Sequence, residues 1–257
     1  MLQFEWYRGY CVFNARLKVF LSLRRAFFIF TRKGSRFMDF KRIILLSGHY
    51  GSGKTNIAVN LAFMLKQQRK RVTIADVDIV NPYFRTSDSR RELEENGIRL
   101  ICSEFAGSNV DLPALPADMY SVVDDPNQTV IIDVGGDDRG ALALGRIRDG
   151  ILKENDYEML FVINRFRPLT RNAELTVEIM REIELAGGIR FTAIVNNSNL
   201  GAETTAEDVL ASDAYAREVC EMTGLPLKMT AVHESLYPQL EGRMDNLFPL
   251  GLQKKIQ

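Results

Sequence analysis

Histidine is almost absent from this 257-residue chain, which has only His49 and His233. Cysteine is nearly as scarce. Cys11, Cys102 and Cys220 are odd in number, lie far apart and form no C-x-x-C pair. That pattern argues against a zinc or iron–sulfur site within one chain and against a disulfide framework. The setting it implies is a reduced, cytoplasmic one. No apolar run reaches the roughly eighteen residues of a bilayer span. The apolar stretch AFFIF at 26–30 is bracketed by Arg24, Arg25, Arg32 and Lys33. It is too short for a secretory signal core. Net charge is missing as well, with 33 basic against 33 acidic residues. Nothing global therefore points to nucleic acid or membrane.

The balance hides an asymmetry. Residues 1–37 carry eight basic residues and one acid, Glu5, which leaves 25 basic and 32 acidic for residues 38–257. Three readings of the first segment compete: an interfacial helix on anionic membrane, a basic arm for nucleic acid, or an extension ahead of a domain that starts at Met38. The last is favoured, and any membrane contact would run only through residues 1–37. Nucleic acid is not supported by the core.

From Lys41 onward, short β-branched runs alternate with amphipathic ones. Strands are expected at 43–47, 72–76, 98–103, 129–133, 158–164 and 191–197, with a last one at 225–232. Helices are expected at 54–68, 89–96, 139–152, 170–186 and 207–223, with Thr170 or Asn172 capping the fourth. Strand–helix alternation implies right-handed crossovers, hence an α/β fold with a mostly parallel central sheet between two helical layers. One domain over 38–257 is expected, with any ligand at the carboxyl ends of the strands.

Residues 48–55 read GHYGSGKT and satisfy G-x-x-x-x-G-K-[ST]. Gly51 and Gly53 permit positive φ and let backbone N–H groups turn inward onto phosphate oxygens. Lys54 opens the following helix and can reach the terminal phosphates, and Thr55 can place its hydroxyl on Mg²⁺. The helix N-terminus adds partial positive charge. The expected phosphate contacts therefore run through Gly48, His49, Tyr50, Gly51, Ser52, Gly53, Lys54, Thr55 and Asn56.

Two other strands end in acids. VTIADVD places Asp76 and Asp78 after the second strand, and TVIIDVGG places Asp133 before Gly135 and Gly136. Asp133 is the candidate for Mg²⁺, against the alternative of an ordinary solvated strand end. Gly136 can offer its N–H to a terminal phosphate. Asp78 can orient the attacking water with Asp76 as a second partner of the metal, unless one of the two merely caps the next turn. Asp137, Asp138 and Arg139 read either as a switch segment or as a solvated helix start.

These stretches together resemble the MinD/ParA branch of P-loop ATPases, the CobQ/CobB/MinD/ParA nucleotide-binding group that includes the nitrogenase iron protein. The likeness rests on GHYGSGKTNIAVNLAFML, VTIADVDIVNP, TVIIDVGG and FTAIVNNSNLG. It implies a three-layer P-loop NTPase fold, ATP and Mg²⁺ as cofactors, Asp78 as the water-orienting residue and Asp133 as the Mg²⁺-water ligand. Asn196 and Asn197 resemble the family's base-contacting asparagine, with turn chemistry as the alternative. No N-K-x-D run of the guanine-reading kind is present, so adenine is expected over guanine. One departure stands out. Many members carry a lysine after the first loop glycine that reaches across a nucleotide-sandwiched dimer, and here that position is His49. Loop packing is the favoured role for this residue, ahead of a surface position or a weak phosphate contact.

The resulting expectation is an ATP hydrolase in which Lys54, Asp78 and Asp133 are catalytic, acting as a nucleotide-dependent switch on a protein partner. The homodimer is left open. A second reading is a small-molecule kinase or ligase-like enzyme whose acceptor site is shaped by 79–85 and 105–120; a third is a non-hydrolysing nucleotide sensor. Tyr83, Phe84 and Arg85 read as partner contacts or as packing for the next helix. The basic run Arg165, Arg167 and Arg171 reads as an anion contact or a solvated loop.

Overall fold

The computed structural model describes residues 38–69, 71–77, 89–102, 118–136, 140 and 144–251. Eight strands form one sheet in the order β3-β2-β4-β1-β5-β6-β7-β8, every pairing parallel. They are β1 (Ile43–Ser47), β2 (Val72–Asp76), β3 (Arg99–Cys102), β4 (Thr129–Asp133), β5 (Tyr157–Ile163), β6 (Ala193–Asn196), β7 (Leu227–His233) and β8 (Leu247–Leu250). The helices are α1 (Lys54–Gln68), α2 (Arg90–Glu95), α3 (Asp118–Asp124), α4 (Arg148–Glu154), α5 (Ala173–Gly187), α6 (Ala206–Thr223) and α7 (Tyr237–Leu240).

The three layers follow from the period of two along a strand. In β1, Ile43 and Leu45 join Val130, Ile132 and Phe161 in one core, while Ile44 and Leu46 join Ile131, Leu160 and Val162 in another. The first core is closed by apolar residues of α5 and α6, among them Val177, Met180, Tyr215 and Val219. The second is closed by Ile57, Leu61 and Leu65 of α1. Both faces of the central strands are thus dry, which is why they read as continuous apolar runs.

Several boundaries differ from the sequence expectation. The strand ending near 232 is not the last, because β8 pairs parallel to β7 beyond it. Pro249 sits in β8, and an edge strand tolerates a residue with no N–H. The helix expected over 139–152 is not continuous: Ile147 N–H donates to Leu144 C=O in a turn, and α4 starts only at Arg148. Asn155, in the left-handed region at φ 54°, ends it. Asn172, not Thr170, caps α5, its side chain accepting from Leu175 N–H. The strand expected from 98 begins at Arg99, and the one expected at 191–197 is trimmed to 193–196. Among the described residues no helix is long and apolar enough to cross a membrane.

Candidate functional site

Because all strands run the same way, their carboxyl ends share one edge. β1 lies between β4 and β5, and the chain leaves it in the GHYGSGKT loop. Gly53, at φ 92°, turns the loop into α1. A side chain there would also collide with the Asn197 amide. That amide donates from Nδ2 to Ser52 C=O at 2.6 Å, tying the loop to the end of β6.

Lys54 is 4% exposed, and its Nζ donates to Gly48 C=O at 3.1 Å. The lysine thus folds back across the mouth of its own loop. Thr55 Oγ1 donates to Asp133 Oδ2 at 2.7 Å, and Asp133 is fully buried at the end of β4. A hydroxyl and a carboxylate beside a lysine and a helix N-terminus form a donor set suited to a hard cation carrying phosphates. The Ser52 hydroxyl inside the loop is buried and, among the described residues, has no hydrogen-bond partner. The loop therefore has the shape and donors of an anion cradle, and its residues fit a Mg-nucleotide.

Asp76 stands in register with Asp133 on the adjacent strand, and Val77 N–H donates to Asp133 C=O at 2.9 Å. The two acids are thus brought side by side. Gly136 packs so closely on Gly48 C=O that a Cβ there would overlap it. The segment leaving β4 is in direct contact with the phosphate loop. Asp78, Tyr83, Phe84, Arg85, Asp137, Asp138 and Arg139 lie outside the described residues, as does all of 1–37.

His49 is half-buried, and its imidazole pKa is pushed down by burial first and then by the positive charges of Lys54 and Arg167. Tyr50 is exposed, and Asn56 accepts through its C=O from Asn60 Nδ2 at 2.8 Å. Asn196 is fully buried, donating to Ser212 Oγ at 2.9 Å and accepting from Ser198 N–H at 3.1 Å. Asn197 donates to the loop and accepts from Asn199 Nδ2 at 3.0 Å. In this arrangement both asparagines brace the edge.

One organising residue had no sequence reading of its own. Asn164, just past β5, accepts from Phe166 N–H through Oδ1, donates to Asn199 C=O, and receives Thr170 Oγ1 on its own C=O at 2.7 Å. It shapes the 164–170 segment and holds it against the residues after β6. An asparagine closing an apolar strand four residues before a proline was the available signal.

The family model described as the CobQ/CobB/MinD/ParA nucleotide-binding domain matches residues 43–208. No curated protein matches. Among solved structures, the cell division protein FtsY of Thermotoga maritima is similar at 19% identity and a TM-score of 0.50, over 75% of this chain and 62% of that one. FtsY of Mycoplasma mycoides is similar at 20% identity and a TM-score of 0.50, over 82% of this chain and 67% of that one. This chain thus spans under two thirds of the Thermotoga protein. At such identities the likeness speaks for the fold.

Proposed function

The chain belongs to the CobQ/CobB/MinD/ParA nucleotide-binding domain family, and from that membership we propose that it is a slow Mg-dependent ATPase whose nucleotide state switches its hold on a protein partner. The observation that carries this reading is the buried Thr55–Asp133 hydrogen bond at 2.7 Å, set beside Lys54 at the mouth of the loop.

Each role follows from placement. Loop N–H groups and the α1 N-terminus hold the phosphates, and Lys54 neutralises their charge. Thr55 and Asp133, with Asp76 beside them, are the residues that would hold Mg²⁺. When bound, Mg²⁺ supplies charge neutralisation on the terminal phosphates. Asp78, two residues beyond Asp76 in the chain, is assigned to orient the attacking water. The Gly136–Gly48 contact supports a path from the terminal phosphate to the segment after β4, whose change of position would alter the surface offered to a partner. Adenine is favoured by the lack of an N-K-x-D run. Base contact by Asn196 or Asn197 would require them to exchange the partners they hold here.

Equilibrium binding of ATP and GTP to the full chain, with and without Mg²⁺, tests this reading. Binding of ATP that Mg²⁺ strengthens and Lys54→Ala abolishes is expected. Preference for GTP would overturn the base assignment, and failure to bind either nucleotide would overturn the function.

A further inference from the structure

Three arginines follow β5 in the run NRFRPLTRN, and they do different things. Arg165 donates from Nη1 to Ala211 C=O on α6 and lies over the Phe166 ring. Arg171 is exposed. Arg167 alone turns back to the phosphate loop, where its Nε donates to Gly51 C=O at 2.8 Å. The guanidinium lies over Gly51 on the side where any other residue carries its Cβ, with Nε 3.3 Å from that position. Gly51, at φ 75°, leaves that side of the loop open for it.

The charge balance there is uneven. Lys54, Arg167 and the N-terminus of α1 converge on one loop. Among the described residues neither Lys54 nor Arg167 forms an ion pair with a carboxylate. The two terminal nitrogens of Arg167 have no hydrogen-bond partner among those residues. His49 is made less basic by burial first and then by the charges of Lys54 and Arg167. With no carboxylate paired to either cation among the described residues, both are placed to meet an arriving anion, and a forked guanidinium matches phosphate oxygens. Its anchoring bond to Gly51 holds the fork in advance, so less entropy is lost when phosphate binds.

We propose that Arg167 is a phosphate-recognition residue supplied from within the same chain, reading the terminal phosphate of the nucleotide in the 48–55 loop and so setting a preference for triphosphate over diphosphate. This rests on the nucleotide reading above and adds a specificity determinant to it. Arg167 acts in cis, so the preference does not need a second copy of the chain.

The variants Arg167→Gln and Arg167→Lys separate charge from bracing. Glutamine can keep a donor for Gly51 C=O but has no charge, and lysine keeps the charge. Binding to the full chain with Mg²⁺ would be measured for non-hydrolysable ATP and GTP analogues and for ADP and GDP, at two salt concentrations. Arg167→Gln is expected to weaken the triphosphate analogue by about tenfold while changing the diphosphate much less. Its triphosphate affinity should also become less sensitive to salt. Arg167→Lys should retain most of the triphosphate preference. Equal weakening of both nucleotides by Arg167→Gln would mean a brace only and would overturn the proposal, as would no change in either. A wild-type chain that binds no nucleotide overturns this inference together with the function, whereas wild-type binding with an indifferent glutamine variant overturns this inference alone.

Discussion

His49 shows how a single side chain is tuned by the loop that carries it. Burial, Lys54 and Arg167 all lower its pKa from 6.5. A histidine so depressed binds fewer protons folded than unfolded in the window between the two values, so stability rises with pH through that window. Above 6.5 the imidazole is neutral in both states and costs nothing; as pH falls below 6.5 toward the lowered value, folding loses free energy. Urea midpoints from pH 8 to pH 5 should therefore fall more steeply for the nucleotide-free wild type than for His49→Gln, with the divergence opening below 6.5. Parallel profiles would show that the loop does not hold His49 in its neutral form. The loop-packing role expected for this residue is compatible with its half-buried position. Asn197 teaches a related lesson, because its hydrogen bond to Ser52 C=O spans 145 residues of sequence. A local reading sees only an asparagine at a turn.

Among the elements, those with a strong period and explicit end signals were legible in the sequence. α1 begins at Lys54 and ends at Gln68, as its apolar spacing after the glycine loop implied. The ends of β1, β2 and β4 likewise fall where their apolar runs stop. α5 is delimited by Asn172 at one end and by Gly188 in the left-handed region at the other. Replacing Asn172 with alanine removes the acceptor for Leu175 N–H and should cost about 1 kcal/mol. Chemical denaturation would measure this, and an unchanged midpoint would mean that water or a neighbour replaces the cap. What was not legible has physical causes. β8 and α7 are four residues each, and each contains a proline. Periodicity cannot be read over so short a span, and proline signals a loop unless the edge position of the strand is already known. The break before α4 was hidden because RGALALGRIRDGIL has helical spacing throughout, and only tertiary packing decides where it turns.

At the scale of the whole molecule, the parallel sheet does the gathering. Five segments distant in sequence, those leaving β1, β2, β4, β5 and β6, reach one edge because every strand points the same way. The order β4-β1-β5 puts the phosphate loop between the acid of β4 and the arginine segment after β5. That is why Asp133 and Arg167, 34 residues apart in sequence and on opposite sides of β1, both reach residues 48–55. The family match ends at residue 208, early in α6, so β7 and β8 complete the sheet past it. The proposed function is that this edge hydrolyses ATP. The most direct test is phosphate release from ATP by the full chain with Mg²⁺, run beside GTP and beside Lys54→Ala. Slow release from ATP that needs Mg²⁺ and disappears in the lysine variant is the expected result. ATP that is bound but stays intact, or release that persists in Lys54→Ala, would contradict it.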